Sequence, residues 1–400
     1  MTKQRVAIIG TGVVNNPGIA HPDKGFKQLL TESVYKAIAD ANIKPTDIQG
    51  SSFSYTGESE VGHGGISATL NDALSLSPIP GFINCSNCAS GHTAFMQGCD
   101  MIESGEYSCV LVAGFEKSTD VLPFFDYALI SSDSMYDYNL GYSHIDAVLM
   151  QNEYYSKYEI SQEKRKQGLL AYAQFARKMG SKNPVAHFFG KKIPSYDELE
   201  KLPLFGSFMK TGEGSAAIVL ASEEFAQKVS QKPVFVQGRS YITTSHYIGH
   251  RYDSSLLNGI DDALLSDAGS GLPLKIACDN AYKQAGITAD DIDTIGVYDQ
   301  FSSEFVSLEA AGICEEGKAI DFILSGGGDI DGRVPINTDG GNIGRGFAGG
   351  TAGIYPLVEI VKQLNGTAEG YKIPKPIKYG MSTYIGGGFA HNVAVILTNN

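Results

Sequence analysis

The stretch AIADANIKPTDI, residues 37–48, is repeated in the chain as AYKQAGITADDI, residues 281–292. The two copies align without gaps at an offset of 244 and are identical at five positions, which include two alanines and an aspartate. Each copy predicts the end of a helix, a short turn and the start of a strand. A structural unit that recurs in this way indicates an internally duplicated fold.

A second repeat follows in the same order. CASGHTA, residues 88–94, aligns with FAGGTAG, residues 347–353, at an offset of 259, and each copy opens an apparent helix. Two ordered matches are much harder to obtain by chance than one. We therefore expect two halves of one architecture, residues 1–240 and 241–400. Residues 117–230 fit neither half and predict an inserted segment, which either caps an active site or decorates the surface.

Short apolar runs alternate with helical patterns along the chain. Runs of this kind are typical of strands that are covered on both faces of a sheet. Helical patterns cover residues 25–42 and 272–286. The alternation predicts an α/β fold. The expected strands are residues 5–10, 108–114, 233–238, 293–299 and 392–398.

The composition favours small-molecule chemistry. The 400 residues are 42% hydrophobic, enough for a large core, and the formal net charge is −13. Nucleic acids and anionic membranes attract clustered positive charge, and the longest basic run is KRK at residues 164–166. The sequence shows neither a signal-peptide pattern nor an apolar stretch of about 18 residues. We expect a cytoplasmic protein without nucleic-acid or membrane partners, whose six cysteines are reduced.

Cys85 and Cys88 form a C-x-x-C pair, a spacing that is compatible with a zinc site, a redox pair or a cysteine nucleophile. Zinc needs two further ligands at matching spacing, and His246 and His250 lie far away in the other half, so we expect no metal. A redox pair fits only in part, because the two residues between the cysteines are neither cationic nor proline. As a nucleophile, Cys88 alone is needed. The small residues 89–91 allow a tight turn, and the following helix dipole favours a thiolate.

Glycine-rich runs crowd the second half, at residues 323–332, 337–346 and 384–392. They are not nucleotide motifs, because G-x-x-x-x-G-K-[ST] is absent and no G-x-G-x-x-G follows the first strand. Glycine lets the backbone approach a pocket closely and leaves N–H groups available to an oxyanion. The runs therefore predict the walls of a pocket.

Five motifs spread over nearly the whole chain carry a family resemblance: NCASG (87–91), YDQF (298–301), NTDGGNIGRG (337–346), AGGTAG (348–353) and IGGGFAHN (385–392). Together they resemble the thiolase superfamily. Within it, the chain is similar to sterol-carrier-type and archaeal thiolases and to the thiolase-like subunit of bacterial phloroglucinol acetyltransferase complexes. The resemblance implies a duplicated five-layered αβαβα fold with an inserted loop domain, a homodimer core and an acyl-enzyme intermediate on Cys88.

The sequence departs from the family pattern at three positions. Phe347 stands where ordinary thiolases carry the histidine that activates the nucleophile. Tyr384 replaces an acid/base cysteine, and Tyr298 stands where relatives carry His or Asn. Loss of the histidine removes a general base, which contributes roughly 10² to 10⁴ in rate. An ordinary acetoacetyl-CoA thiolase is therefore disfavoured.

Other residues are candidates to replace the lost histidine. His144 matches a histidine of the phloroglucinol acetyltransferase-like pattern, Tyr298 is a donor for a ketone or phenolate oxygen, and His391 lies just behind the last glycine run. By correspondence with thiolases, the N–H groups of Cys88 and Gly386 form the oxyanion hole. We predict catalytic roles for Cys88, His144 and Tyr298, and pocket roles for Gly386, Phe347, Tyr384 and His391. A solvated or core role is expected for His21, His63, His92, His187, His246 and His250.

Three functions fit these features. The first is a C-acyltransferase that makes or breaks a carbon–carbon bond, in which acyl-Cys88 passes its group to a carbon nucleophile held by Tyr298 and His144. An electron-rich phenol such as an acylphloroglucinol needs little base assistance and would tolerate the missing histidine. The second is a tyrosine-dependent retro-aldolase, or a thiolase, acting on an acyl-CoA. The third is a non-catalytic scaffold subunit.

The resemblance also implies substrates and partners. No permanently bound cofactor is expected, and coenzyme A thioesters are candidate substrates. Relatives with altered sites imply a homodimer core joined by a small zinc-ribbon/OB-fold subunit and, in some cases, a second thiolase-like subunit. Since this sequence contains no zinc-ribbon pattern, such a module would be a separate polypeptide.

Overall fold

One mixed sheet organises the part of the chain that the computed structural model describes: residues 4–62, 64–120, 145–202, 210–247, 249, 268–300 and 303–400. Its nine strands are β1 (Val6–Val13), β2 (Gly50–Ser54), β3 (Gly81–Asn84), β4 (Cys109–Glu116), β5 (Gly214–Ser222), β6 (Val234–Thr243), β7 (Thr294–Gly296), β8 (Tyr379–Gly386) and β9 (His391–Thr398). They lie side by side in the order β3-β2-β4-β5-β1-β6-β9-β8-β7.

Helices connect these strands. Those in the described residues are α1 (Phe26–Asp40), α2 (Glu58–Val61), α3 (Ile66–Ala73), α4 (Ser90–Glu103), α5 (Ile145–Lys157), α6 (Gln162–Gly180), α7 (Tyr196–Glu200), α8 (Glu223–Val229), α9 (Leu272–Ala285), α10 (Ser303–Ala310), α11 (Ala319–Leu324), α12 (Gly341–Gly344) and α13 (Ile354–Leu364). Among them, none is both long enough and apolar enough to span a membrane.

The strand order shows the duplication directly. From one edge it runs β3-β2-β4-β5-β1, and from the other edge β7-β8-β9-β6. The pairs β2/β4 and β7/β8 are parallel, whereas β4/β5, β8/β9, β1/β5 and β6/β9 are antiparallel. A parallel bridge between Ile295 and Ile336 stands where the second half would have its counterpart of β3. The two halves join where β1 pairs with β6.

Successive residues of the central strands face different cores, because side chains alternate across a sheet. In β1, Val6 and Ile8 belong to a core that includes α4 and α13, whereas Ala7 and Ile9 belong to a core that includes α1. Strand β9 is shared in the same way between the α4/α13 core and a core that includes α9. The short β1/β6 pairing joins all nine strands into one sheet, but the two portions of that sheet lie on opposite sides of the α4/α13 core, so the layers are helix, sheet, helix, sheet and helix. The predicted α/β class and thiolase-type αβαβα architecture are confirmed.

Two glycines explain how the repeated helices pack on their strands. A Cβ at Gly10 would lie 2.3 Å from the Ala37 carbonyl oxygen, and a Cβ at Gly238 would lie 2.2 Å from the Ala281 carbonyl oxygen. Each glycine sits at a register shift in its strand pairing. Because Ala37 and Ala281 are equivalent residues of the first sequence repeat, the two contacts are the same packing arrangement formed twice.

The segment between β4 and β5 holds α5, α6 and α7, and it packs on the second half of the molecule. A Cβ at Gly168 in α6 would lie 2.9 Å from Ile320, and one at Gly180 would lie 2.5 Å from the Gly344 carbonyl oxygen. Strand β5 and helix α8 also fall within the range 117–230, and β5 lies in the middle of the sheet. The division into residues 1–240 and 241–400 stays a prediction.

Candidate active site

The turn between β3 and α4 presents Cys88. Asn87 has a φ of +53°, a left-handed conformation that asparagine tolerates better than most residues. The Ser86 N–H donates to the Ser90 hydroxyl at 2.8 Å, and that hydroxyl donates to the Asn87 carbonyl at 2.6 Å. Cys88 is half-buried and directly precedes Ala89, the N-cap residue of α4. The positive end of this helix favours the thiolate form of the cysteine.

The Tyr298 side chain reaches this thiol from the second half. It follows the end of β7, is 5% exposed, and its hydroxyl donates to Cys88 Sγ at 3.3 Å. The same hydroxyl contacts Gln300 Oε1. Since a phenol carries a single hydrogen, the two acceptors compete for it. The contact places one proton-carrying group directly at the sulfur atom.

Aromatic rings surround the Tyr298 ring. The Phe347 ring lies 6.3 Å away at an interplanar angle of 79°, and the Tyr384 ring lies 4.9 Å away at 76°. Both side chains are buried. Phe347 occupies the position of the second sequence repeat that matches Cys88, and it carries no group that could exchange a proton. The described surroundings of Tyr298 are therefore largely aromatic.

The ring of Tyr384 also packs against His92. The two rings stack at 5.0 Å, and His92 Nε2 lies 2.9 Å from the Ser382 hydroxyl. Burial lowers the pKa of His92 to about 3, so its imidazole is neutral. The Tyr384 hydroxyl donates to Asn342 Oδ1 at 3.1 Å, and burial raises the pKa of Tyr384 far above its usual range. Tyr384 is therefore a protonated tyrosine whose hydrogen is already directed at an acceptor.

Gly386, at the end of β8, touches the nucleophile turn. A Cβ there would lie 2.3 Å from the Ser86 carbonyl oxygen and 3.0 Å from the Ala89 nitrogen. Gly387 follows with a φ of +55°. A Cβ at Gly387 would lie 2.6 Å from Asn87 Nδ2 and 2.7 Å from His246 Nε2. The glycine run thus borders the turn that carries Cys88, where the N–H groups of Cys88 and Gly386 are the predicted oxyanion donors.

Two histidines lie along this glycine run. His391 Nδ1 is 2.7 Å from the Tyr241 hydroxyl, and burial together with neighbouring His246 lowers the pKa of His391 to about 4. His246 Nε2 lies 3.5 Å from Asn87 Nδ2, one residue from the nucleophile. The sequence predicts for His246 only a solvated or core role, apart from its spacing as half of a metal pair. Its position beside the turn was missed, and no local pattern indicates it.

A buried polar network behind Tyr384 was also missed. Asn342 Oδ1 accepts hydrogen bonds from the Tyr384 hydroxyl and, at 2.9 Å, from Arg345, which also donates to Asp339. Arg345 is 2% exposed and lies over the Tyr355 ring, with its guanidinium carbon 4.9 Å from the ring centroid. The network fixes the hydroxyl of Tyr384. The signal available in the sequence was the polar content of NTDGGNIGRG.

Two buried carboxyls complete the surroundings. Asp299 accepts from the Asn342 N–H at 2.7 Å and from the Tyr172 hydroxyl at 3.3 Å, and burial raises its pKa to about 7. Burial likewise raises the pKa of Glu304 in α10 to about 8. Glu304 Oε2 has no hydrogen-bond partner among the described residues. Both groups therefore titrate near neutral pH.

The structure brings five of the seven predicted site residues into one place: Cys88, Tyr298, Phe347, Tyr384 and Gly386. His391 lies beside them along the glycine run. His144 falls outside the described residues. No group of three metal-binding side chains is found in the described ranges. The arrangement brings together a thiol, an adjacent phenol and closely packed backbone, which are the kinds of group that covalent acyl transfer uses.

The fold and the cysteine before α4 define a thiolase-type protein. The thiolase N-terminal domain model matches residues 7–201, and the thiolase C-terminal domain-like model matches residues 266–399. The chain belongs to the thiolase superfamily.

Curated relatives carry several names. Sterol carrier protein 2 of Gallus gallus is 28% identical over 92% of this chain and 67% of its own length. Acetyl-CoA acetyltransferase of Methanothermobacter thermautotrophicus is 27% identical over 91% of this chain and 92% of its own length. A 17-hydroxy-3-oxo-4-pregnene-20-carboxyl-CoA lyase of Mycobacterium tuberculosis is 26% identical over 92% and 93% of the two chains.

Solved structures share the fold. The structure entitled Ltp2-ChsH2(DUF35) aldolase superimposes with a TM-score of 0.79 at 20% identity, covering 99% of this chain and 98% of that chain. The acetyl-CoA acetyltransferase of Syntrophomonas wolfei gives a TM-score of 0.71 at 17% identity and covers 100% of both chains. These similarities establish the thiolase fold.

Proposed function

We propose that the protein is a C-acyltransferase that makes or breaks a carbon–carbon bond through an acyl-Cys88 intermediate. The observation that carries this proposal is the hydrogen bond of 3.3 Å from the Tyr298 hydroxyl to Cys88 Sγ, formed at the N-terminal end of α4. The helix end stabilises negative charge on sulfur, and the phenol donates a hydrogen bond to the thiolate. Cys88 is thereby held in the form that attacks a carbonyl carbon.

The reaction has two balanced steps. In the first, the Cys88 sulfur attacks the carbonyl carbon of the acyl donor, a carbon–sulfur bond forms, and the donor's leaving group departs with the thiol proton. In the second, the acceptor carbon attacks the thioester carbonyl, a carbon–carbon bond forms and the carbon–sulfur bond breaks. The proton lost from the acceptor carbon returns to Cys88, and Tyr298 relays it in both directions.

The acceptor that suits this site is an electron-rich phenol of the acylphloroglucinol type. Phe347 stands where ordinary thiolases carry the histidine that activates the nucleophile, so base assistance is reduced and an acceptor carbon that is already nucleophilic is favoured. The rings of Tyr298, Phe347 and Tyr384 pack on one another beside Cys88, an apolar environment that suits an aromatic acceptor. Coenzyme A thioesters and acylated phenols are both candidate donors, and no bound cofactor is required.

We further propose a cytoplasmic homodimer core that works with a small zinc-ribbon/OB-fold subunit and, in some assemblies, with a second thiolase-like subunit. The solved structure whose title pairs Ltp2 with ChsH2(DUF35) supports a second protein beside a chain of this fold. The proposal predicts that acyl transfer rises when the partner is added. Full activity of the isolated chain would remove the need for a partner.

The test of the acyltransferase is product formation. The chain and its partners are incubated with an acylphloroglucinol donor and an isotopically labelled phloroglucinol acceptor, and labelled acylphloroglucinol is quantified by chromatography and mass spectrometry. We expect label exchange in the wild type and none in Cys88→Ala. Exchange that survives in Cys88→Ala would refute an acyl-Cys88 mechanism.

A tyrosine-based retro-aldolase is the second candidate. It is supported by the edge contact of 4.9 Å between Tyr298 and Tyr384, and by similarity to a relative named as a lyase. The structure weighs against a catalytic Tyr384, because its hydrogen is directed at Asn342 and burial holds its pKa far above neutral. Cleavage of a β-hydroxyacyl-CoA by both wild type and Cys88→Ala would favour this candidate.

A further inference from the structure

Tyr172, in helix α6 of the segment between β4 and β5, is fully buried and takes no part in the proposed mechanism. Its hydroxyl accepts a hydrogen bond from Asn337 Nδ2 at 2.8 Å and donates one to Asp299 Oδ2 at 3.3 Å. Burial, followed by the charge of Asp299, raises the pKa of Tyr172 well above its usual value, so the hydroxyl keeps its hydrogen. One buried hydroxyl therefore connects Asn337 with Asp299.

Asn337 holds Val297, the residue directly before Tyr298. Its Oδ1 accepts from the Val297 N–H at 2.8 Å, and its Nδ2 donates to the Val297 carbonyl at 3.0 Å. The second hydrogen of Nδ2 goes to the Tyr172 hydroxyl. Both hydrogens of the amide group are thus used, and the bond to Tyr172 helps to fix the orientation of the amide that grips Val297.

Asp299 holds the chain directly after Tyr298. Its Oδ1 accepts from the Asn342 N–H at 2.7 Å, and its Oδ2 accepts from the Ile343 N–H at 3.4 Å. These N–H groups belong to the first turn of α12, where the helix offers them no partner of its own. The Tyr172 hydroxyl reaches the same Oδ2 atom. Tyr298 is therefore anchored on both sides, and Tyr172 touches both anchors.

Helix α6 is itself fixed against α12. A Cβ at Gly344 in α12 would lie 2.0 Å from the Ala176 carbonyl oxygen, and a Cβ at Gly180 in α6 would lie 2.5 Å from the Gly344 carbonyl oxygen. The two backbones thus touch without a side chain between them. Because Tyr172 and Ala176 are four residues apart in α6, they lie on the same face of the helix. The face that contacts α12 is therefore the face that carries Tyr172.

The contact between Tyr298 and Cys88 is sensitive to small displacements. The Tyr298 hydroxyl lies 3.3 Å from Cys88 Sγ and also contacts Gln300 Oε1. Its single hydrogen is shared between these two acceptors. A small movement of the Tyr298 backbone is therefore enough to direct that hydrogen away from the sulfur atom.

We propose that Tyr172 is a positioning residue, which fixes Tyr298 at Cys88 by bridging the anchors on either side of it. Loss of the hydroxyl leaves the Asn337 amide and the Asp299 carboxyl one partner short, and Tyr298 gains freedom to turn away from the sulfur atom. The segment between β4 and β5 thus acts on the site through one hydroxyl. The effect on acyl transfer rests on the function proposed above, whereas the effect on the thiol does not.

The experiment measures the rate at which iodoacetamide alkylates Cys88, as a function of pH, together with the rate of acyl exchange. All proteins carry Cys85→Ala, so that the exposed neighbouring thiol does not react, and peptide mapping confirms alkylation at Cys88. The test is a double-mutant cycle of Tyr172→Phe and Tyr298→Phe. Circular dichroism confirms that each variant is folded.

The matched control is Tyr154→Phe. It removes another buried tyrosine hydroxyl from the same segment, one that donates to Glu309 at 2.6 Å and does not contact the anchors of Tyr298. A second variant, Asp299→Asn, weakens the other end of the Tyr172 bridge. It is taken through the same cycle with Tyr298→Phe and decides the question if Tyr172→Phe does not fold.

We expect Tyr172→Phe to lower the alkylation rate at neutral pH by about fivefold and to shift the profile to higher pH, because a hydrogen bond to the thiolate is weakened. In the Tyr298→Phe background the same change should have an effect of less than about twofold, since the group that it positions is gone. Asp299→Asn should show the same dependence on Tyr298, and Tyr154→Phe should match the parent protein.

An unchanged profile in folded Tyr172→Phe would overturn the proposal. Equal effects of Tyr172→Phe with and without the Tyr298 hydroxyl, or an equal loss in Tyr154→Phe, would also overturn it, because each indicates a general loss of packing. Coupling between Tyr172 and Tyr298 in a protein that shows no acyl exchange would support the positioning role and refute the acyltransferase, so the two failures are distinguishable.

Discussion

The segment that precedes α4 and the repeated segment that precedes α13 carry opposite side-chain chemistry. The first presents Cys88, half-buried at a helix N-terminus. The second presents Phe347, 2% exposed and apolar. The two helices meet closely, since a Cβ at Gly91 in α4 would lie 2.9 Å from the Ile354 nitrogen in α13. The repeated segment thus carries a thiol in the first half only, and its second copy reaches α13 through the short 3-10 helix Gly349–Thr351.

The second half contributes in a different way. Its residues Tyr298, Tyr384 and Gly386 lie around the Cys88 turn of the first half, and its polar network fixes the hydroxyl of Tyr384 through Asn342. In the proposed mechanism, the first half therefore supplies the reacting sulfur atom, and the second supplies the proton-carrying group and the confining walls. Substitutions in the two halves should therefore lower the activity for different reasons.

The largest effect is expected at the first-half turn. Cys88→Ala removes the only atom on which the acyl group is carried in our mechanism, so transfer should fall by about 10⁴-fold or more, to the level of background. The matched control is Cys85→Ala, three residues earlier, which changes an exposed thiol. Initial rates of acyl exchange measure both. Equal losses in the two variants would show that the C-x-x-C pair acts as a unit.

Next in size is the contribution of the second half to proton transfer. Tyr298→Phe removes the donor to Cys88 and should lower the rate by about 10²-fold, within the range for general acid–base groups. Tyr384→Phe should lower it by less than about tenfold, because that hydroxyl is bound to Asn342 and positions the ring. Rates of both variants are compared at one pH. The opposite ranking would contradict our assignment and favour the aldolase.

The contact between the halves can be tested at Gly386. Gly386→Ala places a Cβ against the Ser86 carbonyl and forces the nucleophile turn to shift. A displacement near 1 Å costs about 10² in rate when reacting groups must align. Gly25→Ala is the control, since a Cβ there has only one contact, at 3.7 Å. Similar rates for the two variants would show that Gly386 does not constrain the turn.

The last effect falls on stability and not on the rate, and it concerns the buried acids of the second half. Because burial raises the pKa of Glu304 to about 8, the folded protein keeps a proton that the unfolded chain releases above about pH 4.3. Below that pH, Glu304 is protonated in both the folded and the unfolded state. As the pH rises toward 8, only the unfolded chain releases the proton, so the free energy of unfolding falls. The slope is on the order of 1 kcal/mol per pH unit.

Glu304→Gln mimics the protonated acid and should flatten the decline in stability between pH 5 and pH 8 by up to roughly that amount. Urea unfolding at several pH values measures the free energy. Glu224→Gln, which changes an exposed carboxylate, should leave the slope between pH 5 and pH 8 unchanged. A slope in Glu304→Gln equal to that of the wild type would mean that Glu304 does not hold a proton in the folded state.

The fold could be predicted from the sequence because its signals were local or repeated. The strands β1, β4, β6 and β9 follow apolar runs, and the two copies of residues 37–48 fold alike. Strand β7 is shorter than residues 293–299, since the chain leaves the sheet to position Tyr298. The approach of Gly386 to the Cys88 turn was also predictable, because a glycine run signals close backbone packing.

The rest of the site depends on contacts between distant residues that no local pattern encodes. Tyr384 and Asn342 are 42 residues apart, and Tyr172 and Asp299 are 127 apart. A buried polar side chain needs a partner, but its identity depends on how the layers pack. His246 shows the same limit, because its place beside Asn87 depends on the return of the chain after β6.

The most direct test of the central claim is the mass of the intact protein after incubation with a panel of acyl-CoAs and acylated phloroglucinols, with and without the proposed partner subunits. The account predicts a mass increase equal to one acyl group in the wild type, located by peptide mapping on Cys88 and absent from Cys88→Ala. An adduct of the same size on Cys88→Ala would contradict it, and so would acyl exchange by the wild type without any adduct from any donor.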